Sequence, residues 1–135
     1  MGHIISKDGI KIDPERVSEI LKVGEPRSKK EIQSFLGQVN FLRRFVPSFA
    51  EILMNITNIL KKGHEIKWNV EARKSFWEIK KEISDAPVLV SPDFTKYFLV
   101  FSYASEYTIA VVLLQKNDEN IEQAIAFFSK MLRDG

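Results

Sequence analysis

The 135-residue sequence contains no cysteine, and this absence excludes disulfide bonds, thiolate zinc sites and thiol nucleophiles. It contains only two histidines, His3 and His64, and their separation is not a metal-ligand spacing. No apolar run approaches the roughly 20 residues that a membrane-spanning helix needs, and the first residues lack the apolar core of a signal peptide. We therefore expect an intracellular protein, in the cytoplasm or nucleus, that binds no metal, cofactor or membrane.

Net charge is also low, at +2, but it is unevenly distributed. Residues 1–62 carry 11 Lys and Arg against 7 Asp and Glu, whereas residues 63–135 carry 9 against 11. The first part therefore has a formal charge of +4 and the second of −2. A basic segment can meet a polyanion, although a charge of +4 is a weak signal by itself.

The first two helices are predicted by their N-terminal caps. Asp13 followed by Pro14 is typical of a helix start. Ser28, with Glu31 three residues later, is a capping box that starts the second helix. Pro47 should mark the end of the second helix or a kink in it. The helix should bury one apolar face, made of Ile32, Phe35, Leu36, Val39, Leu42 and Val46.

A third helix is predicted from about residue 49 to residue 60, and Asn69 caps a fourth that ends before Pro87. The fourth helix should direct its apolar residues inward, and these are Ala72, Phe76, Ile79 and Ile83.

Other residues in and near the fourth helix receive structural interpretations. Lys80 and Lys81 are interpreted as a solvated helix face. Trp68, Phe76 and Trp77 are interpreted as core residues rather than as a platform for stacking bases.

After Pro92 the apolar period changes from 3.6 to 2, which predicts strands. The three predicted strands are Tyr97–Ser102, Ile109–Gln115 and Gln123–Phe128. Residues 116–120 have turn chemistry between the last two.

We therefore expect an α+β fold in two parts. Residues 1–86 form a helical unit of about four helices, and residues 87–135 form a three-stranded antiparallel β-meander. A meander with nothing to cover it has an unpaired edge and an uncovered face, so we interpret the sequence as truncated.

Four blocks of the sequence resemble, in the same order, the polyproteins of gypsy-class LTR retrotransposons. They are GHIISKDGIKIDPERVSEI, EIQSFLGQVNFLRRFVPSFAEI, IKWNVEARKSFWEIKKEISDAPVLVSPDF and the region from YASEYTIAVVLLQKND to QAIAFFSKML. The plant branches of the class are the most similar. The resemblance assigns residues 1–86 to the end of the palm hairpin and the thumb and connection of reverse transcriptase. It assigns residues 87–135 to the opening strands of an incomplete, degenerate RNase H-like fold.

The resemblance also implies which activity and which partner to expect. Residues 1–3 would end the palm hairpin, and the palm aspartates that hold the polymerase metals would precede them. We therefore expect no DNA polymerisation by this chain alone. The expected partner is an RNA–DNA or DNA duplex, bound weakly and without sequence preference.

The second helix carries the residues expected to contact that duplex. Gln33, Gly37 and Phe41 fall where retroviral thumbs place residues that follow the minor groove of the template–primer. At 100° per residue, Asn40 and Arg44 join them on the side opposite the apolar face. Gln and Asn can reach groove edges and Arg a phosphate, while Gly permits close backbone approach.

Two alternatives stay open for this helix. Gly37 could allow another helix to pack closely, and Phe41 could belong to the core. Arg43 does not fit the groove-facing side, so we interpret it as a phosphate or intraprotein contact.

The resemblance places Tyr103 where RNase H domains carry their first metal-binding aspartate. The family reads Thr-Asp-Ala-Ser there, and this chain reads Ser-Tyr-Ala-Ser over residues 102–105. A phenol is a neutral, poor ligand for Mg²⁺ at neutral pH. Glu106 is the next carboxylate, and the family's second acid would lie beyond Gly135. The sequence therefore predicts no catalytic residue for RNA cleavage.

Three hypotheses of different classes follow. The first is a non-catalytic fragment of a reverse transcriptase that contacts duplex and serves as a structural connection. The second is an element-derived interaction module that forms homo-oligomers through the sheet edge of the β-meander. The third is a nuclease that uses Glu106 together with Asp93 or Asp118.

Overall fold

The computed structural model describes residues 3–6, 9–61 and 67–132, and the predictions for residues 1–2 and for His64 lie outside them. None of the helices in these ranges is long and apolar enough to cross a membrane. The α+β architecture, with four helices before a three-stranded antiparallel sheet, is confirmed. In chain order the elements are β1 His3–Ser6, β2 Gly9–Ile12, α1 Pro14–Leu21, α2 Lys29–Asn40, a 3-10 turn Arg43–Phe45, α3 Phe49–Lys61, α4 Val70–Ser84, β3 Leu99–Ala104, β4 Thr108–Lys116 and β5 Glu122–Met131.

The predicted helix caps are confirmed. The Asp13 carboxylate accepts a backbone hydrogen bond at the start of α1. Ser28 Oγ accepts from the Glu31 N–H at 3.2 Å, and Asn69 Oδ1 accepts from the Ala72 N–H at 2.8 Å. These side chains satisfy backbone donors that have no partner inside their own helix.

The predicted extent of α2 is wrong at its C-terminal end. The helix ends at Asn40 rather than near Pro47, and a 3-10 turn follows at Arg43–Phe45. Leu42 and Val46 are still buried, as their apolar character predicts. A tighter turn therefore buries the same two residues, but the 100° spacing of an α-helix does not hold within it.

The antiparallel hairpin of β1 and β2 is attached to the segment that follows α4. Ile10 and Leu89 exchange two backbone hydrogen bonds, of 2.6 and 2.7 Å. Gly9 has a φ of 137°, and a side chain there would collide with the Leu89 carbonyl. The sequence pattern did not predict the bridge between Ile10 and Leu89, because these residues are distant in the chain.

The hydrophobic core joins the helices to one face of the sheet. The rings of Phe35 in α2 and Phe76 in α4 lie 4.8 Å apart at its centre. In the sheet, Ala124 and Phe127 pack against the same cluster. The fully buried large side chains are Phe35, Phe76, Ile20, Ile32, Leu42, Ile56, Ile79, Ile83, Leu89, Val39 and Val46.

The three predicted strands are confirmed, with different bounds. In the sheet order β3-β4-β5, Val111 in β4 lies opposite both Ser102 and Phe128. Side chains at paired positions lie on the same face of the sheet. Val100 and Phe128 are exposed, and they lie on the face that points away from the helices.

Lys80 corrects the interpretation of the α4 lysines. Its side chain is only 2% exposed, whereas Lys81 is exposed as predicted. Its ammonium donates to the carbonyl of Leu21 at 3.1 Å and to the carbonyl of Val23. Lys80 therefore donates hydrogen bonds to carbonyls at the C-terminal end of α1 and just beyond it. The sequence pattern of α4 alone cannot predict this contact with another helix.

The environment of this ammonium has opposing effects on its pKa. Burial lowers the pKa of Lys80, and the negative charge of Glu25 partly offsets that effect. The ammonium also lies 4.4 Å from the ring centre of Phe76 and 4.8 Å from that of Trp77. Aromatic faces stabilise a cation, so these two rings favour the charged form of Lys80.

The aromatic residues of this region divide into two groups. Phe76 is fully buried, and Trp68 is half-buried with its Nε1–H donating to Glu25 at 2.8 Å. The core interpretation is wrong for Trp77, which is 53% exposed.

We predict that Lys80→Met lowers the free energy of unfolding by about 1 to 3 kcal/mol, because the carbonyls of Leu21 and Val23 lose their donor. Met preserves most of the side-chain volume, so the loss reports mainly on hydrogen bonding. The matched variant Lys81→Met should change stability by no more than about 0.5 kcal/mol. Urea unfolding of both variants measures the difference, and equal effects would contradict the assigned role of Lys80.

Candidate nucleic-acid interface

Four of the five predicted contact residues lie together on the exposed side of α2 and its C-cap. Gln33, Gly37, Asn40 and Phe41, here called the α2 surface, are all exposed. They lie on the side opposite Phe35 because residues four apart share one side of a helix. The core contact of Phe35 therefore determines the direction in which this surface points.

The space above Gly37 is open. A Cβ atom added at this position would meet nothing within 4 Å in the described part of the chain. No helix described here packs on Gly37, so the packing alternative does not explain this residue. Gly in a helix interior costs about 1 kcal/mol relative to Ala, and the structure offers no internal contact that offsets this cost.

Phe41 does not belong to the core either. Its side chain is exposed, and the Arg16 guanidinium of α1 lies 4.9 Å from its ring centre. Arg16 also forms an ion pair with Glu19 at 3.0 Å. The α2 surface therefore ends in an aromatic ring held beside a cation.

Arg44, the fifth predicted contact residue, does not lie on the α2 surface. Its Nη2 donates to the Ile125 carbonyl of β5 at 3.4 Å, and its Nε is buried without a hydrogen-bond partner among the described residues. The reason is the end of α2 at Asn40, because the 100° spacing used for the prediction does not hold within the 3-10 turn.

Arg43, which the helical pattern left without a partner, lies beside a cleft. Its guanidinium lies 5.1 Å from the ring centre of Phe49 and its side chain is exposed. The cleft has a volume of about 560 Å³ and adjoins the α2 surface at Asn40. It is lined by Leu36, Asn40, Arg43, Phe49, Ala50, Leu53, Thr57, Ser129, Lys130 and Met131.

Lys130 of β5 also lines this cleft, and sequence reasoning missed it because only the packing of β5 against α3 brings that strand near α2. Strand alternation places the Lys130 side chain on the same face as Phe128, away from the helices. Arg43 is therefore the cation that can contact a phosphate beside the exposed polar face of α2.

Tyr103 lies in β3, opposite Ala110 of β4, and is 63% exposed. Glu106 follows in the exposed turn between β3 and β4. Asp118 lies beyond the other end of β4, which has nine residues and so spans roughly 26 Å. The two metals of a nuclease site lie about 4 Å apart, so Glu106 and Asp118 cannot share one.

Asp93 is already engaged near the start of the sheet. Its Oδ1 accepts from the Thr95 N–H at 3.0 Å and from the Thr95 hydroxyl at 2.6 Å, and these bonds lower the pKa of Asp93. Gln115 of β4 binds the Asp93 backbone. Among the described residues, no group of three or more Asp, Glu and His side chains converges to hold a metal ion.

Comparison with known sequences identifies relatives along nearly the whole chain. Residues 68–135 match the family described as the RNase H-like domain found in reverse transcriptase. The chain is 32% identical over 129 residues to the Transposon Tf2-3 and Tf2-4 polyproteins of Schizosaccharomyces pombe, a match over 96% of its length. It spans about 10% of the length of these curated relatives.

Solved structures with the same fold contain nucleic acid. A foamy viral protease-reverse transcriptase in complex with dsDNA covers 99% of this chain at 28% identity, with a TM-score of 0.84. A foamy viral protease-reverse transcriptase in complex with RNA/DNA hybrid gives 29% identity and a TM-score of 0.82 over 99% of the chain. The chain corresponds to 28% and 18% of those chains, respectively.

The polyprotein matches confirm the resemblance to gypsy-class retrotransposons. The plant affinity and the division at residues 86 and 87 stay predictions. The family match begins at residue 68, before α4, and covers the entire β-meander. The chain therefore belongs to the family of RNase H-like domains found in reverse transcriptase.

Proposed function

We propose that the chain is a non-catalytic part of a retrotransposon reverse transcriptase that contacts template–primer duplex through the α2 surface. In this proposal residues 1–86 serve as thumb and connection, and the degenerate β-meander supports them structurally. The protein is proposed to act inside the cell. The observation that carries the proposal is the open α2 surface, where Gln33, Gly37 and Asn40 are exposed and nothing described packs over Gly37. Similar structures bound to dsDNA and to hybrid support it.

The chemistry of the α2 surface suits a duplex of any sequence. Gln33 and Asn40 can exchange hydrogen bonds with minor-groove edges, while Gly37 leaves room for the groove wall. Arg43 at the adjoining cleft supplies a phosphate contact. Because few phosphates are neutralised, binding is weak. Because it depends on phosphates and groove shape, binding is sensitive to salt and largely independent of sequence.

We predict that Gly37→Leu weakens binding to a template–primer duplex by about tenfold, or about 1.4 kcal/mol, because the side chain excludes the groove wall. The variant should fold at least as stably as the wild type, since Leu gains about 0.8 kcal/mol of helix propensity over Gly. Fluorescence anisotropy with labelled RNA–DNA hybrid measures the affinity.

Gly24 provides the matched control. It lies in the loop between α1 and α2, and a Cβ there also meets nothing within 4 Å. Gly24→Leu should leave duplex affinity unchanged. Equal affinities for the wild type and a folded Gly37→Leu variant would contradict the proposed contact.

The proposal excludes RNA cleavage on chemical grounds. Two-metal cleavage of RNA needs several converging carboxylates. The resemblance places Tyr103 at the first ligand position, and a neutral phenol binds Mg²⁺ poorly. Glu106 lies at the opposite end of β4 from Asp118, while Asp93 is hydrogen-bonded by Thr95.

We predict no cleavage of the RNA strand of a hybrid by this chain with Mg²⁺ or Mn²⁺. Tyr103→Asp should also be inactive, because one carboxylate cannot hold two metals. Gel analysis of labelled hybrid measures the products, and Glu106→Ala is the control for a substitute ligand. Cleavage by the wild type that disappears in Glu106→Ala would support the nuclease hypothesis instead.

A second candidate function is self-association through the β-meander. It is favoured by one observation, the exposure of apolar side chains on the sheet face away from the helices, including Val100 and Phe128. β3 also lies at an edge of the described sheet. Exposed apolar sheet faces and unpaired edges are typical sites of association, and here the proposed partner is a second copy of the chain.

If this second function holds, Val100→Lys should convert a homo-oligomer to a monomer, because a charge would be buried at the contact. Val70→Lys is a closely matched control, since Val70 is 62% exposed on α4 and Val100 is 61% exposed on β3. Sedimentation of the wild type and both variants at micromolar concentration measures the mass. A monomeric wild type at every concentration would rule this candidate out.

A further inference from the structure

The outer side of α4 carries an exposed aromatic ring between cations, and exposed acids lie along one edge of that side. At 100° per residue, six exposed residues fall within an arc of about 100°. These residues, here called the α4 stripe, are Val70, Arg73, Lys74, Trp77, Lys81 and Ser84. The acids of the helix lie to one side of this arc, at Glu71, Glu78, Glu82 and Asp85.

Trp77, at the centre of the stripe, is exposed but fixed. Its ring packs edge-on against buried Phe76, with ring centres 5.4 Å apart and planes at 78°. The buried ammonium of Lys80 lies 4.8 Å from the centre of the Trp77 ring. These contacts order the indole while 53% of the residue stays exposed. An ordered aromatic ring loses little side-chain entropy on binding, so it is suited to stacking.

The positive charge of the stripe comes mainly from two lysines. Lys74 precedes Trp77 by three residues and Lys81 follows it by four, so both are neighbours of the indole on the helix surface. Arg73 is paired with Glu25 at 2.9 Å, which compensates its charge. Lys74 and Lys81 are both exposed and flank the ring along the helix axis.

We propose that the α4 stripe binds an unpaired nucleic-acid strand, with a base stacked on Trp77 and phosphates on Lys74 and Lys81. A base must present its face to stack on a side chain, and a single strand does so, whereas a duplex covers its base faces. Flanking cations favour a polyanion over an apolar protein partner. The site is separate from the α2 surface, which lies opposite Phe35 on another helix, and so it does not depend on the duplex contact.

The proposal is tested by titrating the full chain with a short oligothymidylate or oligouridylate and following its affinity and salt dependence. Trp77→Ala should weaken binding by between about fivefold and about 150-fold, the range expected for one base–aromatic stack. Trp77→Phe should retain most of the affinity, because a smaller ring still stacks. Lys74→Gln and Lys81→Gln should each flatten the salt slope by about 0.7.

Lys116→Gln, on an exposed lysine at the end of β4, is the matched control and should leave the slope unchanged. The two lysine variants do not alter the core, so they test the site even if Trp77→Ala is unfolded. Unchanged affinity in a folded Trp77→Ala variant, or unchanged slopes in both lysine variants, would overturn the proposal. The proposal would also be overturned if Trp77→Ala disrupts self-association of the protein but does not weaken its binding to oligothymidylate.

The same set of variants separates this proposal from the duplex contact. Gly37→Leu should bind oligothymidylate normally while losing affinity for template–primer. Trp77→Phe should bind template–primer as the wild type does. Each proposal can therefore fail while the other holds.

Discussion

The contact between Phe35 and Phe76 determines the rotation of two helices about their axes. The rings lie 4.8 Å apart in the centre of the core, and both side chains are almost completely buried. A helix with one buried ring has little freedom to turn, because close-packed interiors leave no space for a shifted side chain. The side of α2 opposite Phe35 must then face solvent, with Gly37 on it. On α4 the residue after Phe76, Trp77, is directed outward in the same way.

Two polar contacts extend this arrangement from the helices to the sheet. The hydroxyl of Ser129 in β5 accepts from the Ala50 N–H at the start of α3, at 2.8 Å. Arg44 donates to the Ile125 carbonyl of the same strand. Both contacts lie close to the end of α2, where Asn40 and Ser129 line one cleft. The sheet therefore completes a surface that begins on the helix.

A sequence pattern predicts a feature correctly when the residues that determine this feature lie close together along the chain. The caps at Ser28 and Asn69 involve residues three positions apart, so a local pattern predicts them correctly. The position of Lys80 depends on carbonyls of α1, and that of Arg44 on a carbonyl of β5, so periodicity along one helix gives neither. Trp77 was assigned to the core because it is aromatic, yet its place on the helix next to buried Phe76 directs it to the surface.

Tyr103 shows how a strand can keep its place in the fold when the resemblance implies that its acid is missing. An aspartate in a strand has low β-propensity, and clustered carboxylates repel one another when no metal is bound. Tyrosine is favoured in strands, and in this chain it pairs with Ala110 across a regular antiparallel ladder. An acid retained for metal binding would lower the stability of such a sheet, whereas tyrosine at the same position supports it. The proposed loss of catalysis and the β-propensity of tyrosine therefore favour the same residue at position 103.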